Sequence, residues 1–363
     1  MKEHAIIPIF IPHNGCPHDC VFCNQRRITA RQKTPTAVEI EEIVERNLST
    51  IEEQGIQNVE IAYFGGSFTG IPIEEQNRLL APAIRYKEDG RILRIRLSTR
   101  PDYISPEIIG NLRANSVDAV ELGAQSFDNE VLRISARGHT AECTADALTA
   151  LNAAGFETAL QLMSGLPGSS SAKDIASAIT ATSLAPTSAR IYPTVILKDT
   201  ALHDMFLSGE YTPPSQAEMI QTVKEMYLIL KNAGIKILRV GLKSTDLIAG
   251  ESDSVEGSYH PAFRQLVEGN IARDIIEKEI QNLHISSAQA DSQISPESES
   301  KDLSKNLTRT ITIIANPANI SDAAGHNGEN RKYFAEKFPN ISLKFISDND
   351  VNRGEYTVKL DYQ

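Results

Sequence analysis

Cysteine is scarce in this chain, with four residues in 363. A disulfide framework needs more cysteines and an oxidising compartment, so four in a long chain argue for a reducing, cytoplasmic setting. Long apolar runs are also missing. The N-terminus, Met1-Lys2-Glu3-His4, leads into a short apolar stretch broken by Pro8 and Pro12, which suits neither a signal peptide nor a membrane span. Positive charge is in deficit: 36 Lys and Arg face 47 Asp and Glu, for a formal net charge of -11. Generic attraction to nucleic acid or to an anionic membrane is therefore not expected, although a local basic groove is compatible with it. The rest of the composition, 41% hydrophobic and 23% charged, is that of a soluble globular protein. Its length suits one large domain with a smaller companion, or two domains.

Three of the four cysteines crowd into one short run, Gly15-Cys16-Pro17-His18-Asp19-Cys20-Val21-Phe22-Cys23, directly after the apolar stretch 5–11. Inert structural cysteines are buried small hydrophobes, and a turn-rich segment with His13, Asn14, Gly15, Pro17, His18 and Asp19 does not suit them. Thiolates are soft ligands that select iron–sulfur clusters or zinc. Three with no fourth nearby fit a [4Fe–4S] cube whose remaining iron is open to a substrate or cofactor. The alternative is zinc, with His13, His18 or the distant Cys143 as fourth ligand.

Apolar, β-branched runs recur at 5–11, 59–64, 92–97, 119–122, 158–163 and 190–196. Amphipathic stretches alternate with them at 37–54, 74–87, 106–114, 141–154 and 172–183. In the first, Val38, Ile40, Ile43, Val44 and Leu48 form an apolar stripe near the 3.6-residue period. Strands alternating with helices imply parallel βαβ units. The expected fold is therefore α/β, a partial (β/α)6 TIM-like barrel. Active sites of such barrels gather at the C-terminal ends of the strands. There the sequence offers the cysteine loop, then Gly65-Gly66-Ser67, Ser98-Thr99-Arg100-Pro101-Asp102, Gly123-Ala124-Gln125-Ser126-Phe127 and Ser164-Gly165-Leu166-Pro167-Gly168. Glycines on that rim let backbone approach a ligand closely.

A helix at 216–232 and a closing strand at 235–240 complete an expected core of residues 1–242. Residues 243–283 are expected to extend it and include a loop where Tyr259 and His260 could line a site. Residues 284–306, rich in Ser, Gln, Asp, Glu and Lys, read as a flexible linker. In 307–363 the predicted order is strand, helix, Gly325-His326-Asn327-Gly328, helix, strand. That order resembles a minimal KH-type RNA-binding module, whose GXXG loop clamps backbone nucleotides. Arg331, Lys332 and Lys337 add modest positive charge beside it.

The cysteine loop and the rim segments together, over about 7–202, resemble the radical S-adenosylmethionine (SAM) superfamily. They are most similar to the branch holding the Elongator catalytic subunit and oxygen-independent coproporphyrinogen oxidase. The resemblance implies that Cys16, Cys20 and Cys23 bind three irons of a [4Fe–4S] cluster, while the fourth chelates the amino and carboxylate groups of SAM. It implies that Phe22 packs near the adenine and that Gly65, Gly66 and Ser67 receive the methionine amino group. Gln125 becomes a ribose-side contact and Arg137, in Arg137-Gly138-His139, a carboxylate partner, as suits a planar guanidinium. Ser98 and Gln161 stand where relatives place acidic or amide contacts to the cofactor. No hydrogen-abstracting side chain is singled out.

The implied activity is reductive cleavage of SAM to a 5′-deoxyadenosyl radical that abstracts hydrogen from a substrate. It would be oxygen-sensitive and fed by a one-electron reductant such as flavodoxin or ferredoxin. Three departures bear on the substrate. Gln25 stands where coproporphyrinogen oxidases often carry another cysteine, and Cys143 alone cannot supply a second cluster of the methylthiotransferase kind. The stretch of about 120 residues after Leu242 is short for the acetyltransferase domain of Elongator-type enzymes. An RNA substrate, tRNA included, is one reading. A small-metabolite or porphyrin- and haem-related radical protein, or a non-catalytic iron–sulfur protein, are the others.

Overall fold

The computed structural model describes residues 4–12, 16, 19–23, 33–242, 259–291, 309–339 and 341–362. They fall into two compact units, Met1–Pro261 and Ala262–Gln363.

The first unit is built on seven strands: β1 (His4–Ile11), β2 (Asn58–Gly65), β3 (Arg94–Thr99), β4 (Ala119–Gln125), β5 (Glu157–Ser164), β6 (Ser188–Pro193) and β7 (Lys236–Val240). They lie side by side in chain order, and every neighbouring pair is parallel. The helices between them are α1 (Ala37–Glu53), α2 (Ile73–Glu88), α3 (Pro106–Ala114), α4 (Asn129–Ile134), α5 (Ala141–Ala153), α6 (Ser171–Ser183), α7 (Ala201–Leu207) and α8 (Gln216–Asn232). The result is a curled, open α/β half-barrel. The expected count of six strand–helix units is thus extended by one strand. Residues 235–240 do form that strand, but it does not close the barrel: β7 pairs with β6, and among the described residues β1 and β7 do not pair.

The periodicities that suggested these elements have physical counterparts. On β1, Ile7, Ile9 and Ile11 are buried, whereas Ile6 and Phe10 are 39% and 43% exposed, the period-two pattern of an edge strand with one covered face. Helix α1 turns Ile40, Val44 and Leu48 inward and starts with a capping box, Glu39 N–H donating to Thr36 Oγ1 and Thr36 N–H to the Glu39 carboxylate. Helix α8 repeats the device with Ser215 and Glu218. No described helix is long and apolar enough to cross a membrane.

The second unit contains α9 (Phe263–Asp291), β8 (Arg309–Ala315), α10 (Ile320–Ala324), α11 (Glu329–Lys337), β9 (Ile341–Ser347) and β10 (Tyr356–Tyr362). Its sheet has the order β10-β8-β9, with β9 parallel and β10 antiparallel to β8. Residues 263–283, expected to extend the core, lie in helix α9 of this unit, and 284–291 continue that helix rather than begin a linker; residues 292–308 lie outside the described residues. The reason is packing. Ala272, Ile276 and Ile280, one stripe of α9, are fully buried in one core with Ile311, Ile313, Ala323 and Phe334. Two helices of five and nine residues are too short to cover the sheet alone. Ile276→Ala is expected to destabilise this unit by about 2–5 kcal/mol, read as a lower urea midpoint. A change within error would mean that α9 is not part of its core.

Candidate active site

The first and second strands deliver the cysteines and the glycines to the same rim. Gly66 N–H donates to Ile11 O at 2.9 Å, tying the end of β2 to the end of β1. Gly65 has φ +108, and a Cβ there would stand 2.3 Å from Ile11 O, so only glycine permits this approach. Ser67 follows, with its hydroxyl 3.1 Å from Cys16 Sγ and its N–H donating to the same sulfur at 3.3 Å. Val21, between the other two cysteines, is held from two sides: its N–H donates to Ser135 O and its carbonyl accepts from Leu202 N–H. Phe22 packs against two apolar clusters, one of Val21, Ile196, Leu202 and Tyr211 and the other of Val131, Met163 and Leu166.

The later strands bring the polar groups. Ser98, near the end of β3, has a buried hydroxyl with no partner. Strand β4 has a register shift between Leu122 and Gln125, and Gln125 adopts φ +68. A non-glycine residue in that region stores strain on the order of 1–3 kcal/mol and is held only by its surroundings. Gln161 Nε2, from β5, donates to Gln125 Oε1 at 3.2 Å. Arg137, in the loop after α4, donates through Nη1 to Cys20 Sγ at 3.2 Å and through Nη2 to Gly123 O at 2.5 Å, while its Nε is buried and unpartnered. At Gly123 a Cβ would come within 2.9 Å of Gln125 Nε2 and 3.4 Å of Arg137 Nη2.

All the candidate residues therefore share one cavity. Cys16, Cys20, Phe22 and Cys23 line it with Gly65, Gly66 and Ser67, and Ser98, Gln125, Arg137 and Gln161 line the rest. Thr99, Arg100 and Gly123, from the rim segments, also line it, as does Glu121, which sequence did not single out. For Glu121 a signal existed: an acid within an otherwise apolar strand must be paired if buried. It accepts from Arg190 Nε at 2.8 Å, both side chains are buried, and the guanidinium lies 5.6 Å from the Phe64 ring centroid. His139, two residues after Arg137, stays neutral: burial first, then the Arg137 charge, lowers its pKa to about 4.

Not every rim segment belongs here. The turn after β5 is held by buried Asp174, which accepts from Ser164 Oγ and Gly165 N–H. Gly165 and Gly168 line a different cavity, beside Tyr211 and the start of α8. Cys143 lies on α5 outside the cysteine cavity, and burial raises its thiol pKa. Tyr259 has a buried, unpartnered hydroxyl, and the adjoining residues 243–258 are outside the described ones.

The sequence matches the Radical SAM superfamily over residues 10–176 and the Radical_SAM C-terminal domain over 186–273. The chain belongs to the radical SAM superfamily. It is 30% identical over 185 residues to the tRNA uridine(34) acetyltransferase of Methanocaldococcus infernus, covering 46% of this chain and 35% of that protein. It is 24% identical over 287 residues to the tRNA uridine(34) acetyltransferase of Dehalococcoides mccartyi, covering 70% of this chain and 61% of that protein. Among solved structures, the Methanocaldococcus infernus Elp3 with an N-terminal deletion aligns with a TM-score of 0.60 at 22% identity, over 76% of this chain and 64% of that one. The chain thus spans between about a third and two thirds of these relatives' lengths.

Radical SAM proteins use a [4Fe–4S] cluster and SAM, and the residues present fit both. A cube takes one thiolate per iron, so its ligands surround a volume instead of converging on a point. Here three cysteines line one cavity. His13 and His18, the nearby ligands a zinc site would need, lie outside the described residues. The buried, unpartnered Ser98 hydroxyl and Arg137 Nε supply polar atoms that a bound amino acid moiety would satisfy.

Two outcomes follow from this geometry. Gly65→Ala should lower the iron and sulfide retained after anaerobic reconstitution, because the new methyl must push β1 and β2 apart; full retention would show that the approach is dispensable. Arg190→Met should destabilise the first unit by about 3–5 kcal/mol in urea unfolding, because Glu121 is left buried and uncompensated. An unchanged midpoint would mean that water reaches Glu121.

Proposed function

We propose that this protein is a radical SAM enzyme acting on RNA, with the first unit carrying the chemistry and the second gripping the substrate. The observation that carries the catalytic part is the single cavity shared by the three cysteines and every candidate SAM contact. When bound, the cluster and SAM together supply one-electron chemistry that ends in a 5′-deoxyadenosyl radical able to abstract hydrogen. The chain's own residues bind, orient and exclude water. Cys16, Cys20 and Cys23 are the iron ligands. Gly65, Gly66 and Ser67 leave room and hydrogen bonds for the methionine amino group, and Arg137 offers its guanidinium to the carboxylate. Gln125, oriented by Gln161, faces the ribose, Ser98 contributes its hydroxyl, and Phe22 gives the adenine an apolar wall. A low-potential one-electron donor of the flavodoxin or ferredoxin kind is the required partner.

The RNA part is supported by the second unit. Its β8, α10, Gly325-His326-Asn327-Gly328, α11 and β9 follow the strand–helix–loop–helix–strand order of a minimal KH motif, with β8 and β9 parallel. Gly325, Asn327 and Gly328 all have positive φ, and a Cβ at Gly325 would stand 2.6 Å from Asn330 N. Gly325 is buried against Gly269 of α9 and His326 is tied to Gln265, but exposed Asn327 and half-buried Gly328 leave backbone open to a phosphodiester, the contact KH loops make. The relatives named for tRNA uridine modification point to the same class of substrate.

Reconstituted under anaerobic conditions and reduced with SAM, the protein should release 5′-deoxyadenosine, and Cys20→Ala should release none. A cluster that forms without cleaving SAM would favour a carrier role. The double variant His326→Asp/Asn327→Asp should weaken tRNA binding at least tenfold by placing two carboxylates where phosphate would sit. Cofactor cleavage without RNA should stay at the wild-type level. Equal tRNA affinity of variant and wild type would remove the second unit from substrate binding.

A further inference from the structure

Two buried guanidiniums face the cysteine cavity, and only one of them has a part in holding SAM. The other is Arg100, 3% exposed, in the segment that follows β3. Its Nε and Nη2 donate to the two Asp102 oxygens at 2.9 Å each, and Nη2 also donates to Arg137 O. Those contacts fix the plane of the group. Nη1 is left buried with no partner, in a side chain that lines the cavity together with Cys16 and Cys20. Leaving a charged donor unsatisfied in the interior costs more than leaving a neutral one. It is explained if the missing acceptor is the anionic sulfur of a cluster.

We propose that Arg100 tunes the reduction potential of the cluster held by Cys16, Cys20 and Cys23, donating from Nη1 to a cluster or thiolate sulfur and holding a fixed positive charge beside it. This rests on the cluster reading of the cavity given above. A cluster that accepts one electron gains one negative charge. Nearby positive charge and hydrogen bonds to sulfur stabilise the reduced form and raise its potential. Asp102 sets how much of that charge is felt: it pins Arg100 and partly neutralises it from the side away from the unpartnered nitrogen. The electron comes from an external low-potential one-electron donor, and no proton moves. Arg100 is a positioning and tuning residue in this scheme.

The test is an EPR-monitored redox titration of the reconstituted protein without SAM, with dithionite as reductant. Arg100→Gln should lower the ratio of reduced to oxidised cluster at a fixed potential about tenfold, which for one electron is a shift of about 59 mV to more negative values. Arg100→Lys keeps the charge and should recover part of that shift. Asp102→Asn should move the midpoint the other way, because it uncovers the Arg100 charge. That sign reversal is what a merely structural role would not produce, and if Arg100→Gln fails to fold, the Asp102→Asn shift to less negative values against wild type still reads the effect. Midpoints unchanged in all cluster-containing variants, or shifted in the same direction by Arg100→Gln and Asp102→Asn, would overturn the proposal. So would a shift seen only when SAM is present, which would assign Nη1 to the cofactor carboxylate. If the wild type itself takes up no cluster, the reading beneath the proposal fails and the proposal fails with it.

Discussion

The close approach of the ends of β1 and β2 is the constraint on which the site depends. β1 runs straight into the cysteine loop, and β2 runs straight into Gly65-Gly66-Ser67. Because Gly65 has no side chain, Gly66 N–H can reach Ile11 O, and Ser67 comes within hydrogen-bond range of Cys16. Cys16 is thus held from a neighbouring strand. The loop itself is anchored at Val21, whose N–H and carbonyl are both engaged by distant parts of the chain. Cys16 and Val21 are therefore tied to elements outside their own segment: the end of β2, the chain after α4 and the start of α7.

A second organising principle is charge placed where water is scarce. Glu60 with Arg96 and Glu121 with Arg190 are ion pairs between strands, each with both side chains buried. Such pairs are poor stabilisers, since desolvation offsets much of their attraction. In the middle of a parallel sheet they are better understood as features of a polar lining. Glu121 makes the point, because it lines the cysteine cavity while paired to Arg190. A carboxylate neutralised in this way can present hydrogen-bond acceptors to a ligand without placing a bare negative charge beside thiolates.

Much of this was legible from residue order. The strand and helix periods located the seven strands of the first unit, and the rule that parallel barrels act at their C-terminal rims picked out segments that meet in space. Three things were not legible. The bulge that puts Gln125 into a positive φ is a tertiary effect, since no local sequence preference places glutamine there. The packing of α9 was not legible because its buried stripe, Ala272, Ile276 and Ile280, declares that a partner exists but not which sheet it is. Arg100 stood in a rim segment but carried no role there, because sequence does not show that its guanidinium is buried.

The distribution of unmet hydrogen-bonding capacity ties these points together. Folded chains rarely leave buried polar atoms without partners, and each such atom costs on the order of 1–3 kcal/mol. Among the described residues the buried, unpartnered side-chain atoms are Ser98 Oγ, Arg100 Nη1, Ser135 Oγ, Arg137 Nε, His139 Nε2 and Tyr259 Oη. Three of these residues line the cysteine cavity, and Ser135 and His139 flank Arg137 at two residues on either side. A core that merely packed badly would scatter such atoms through the fold. Their concentration around three thiolates means that the fold is held short of its own best hydrogen bonding at one place. A ligand with anionic and polar atoms on several sides would supply what is missing there, and the neutral state of His139 follows from the same surroundings, since burial and the Arg137 charge both oppose its protonation.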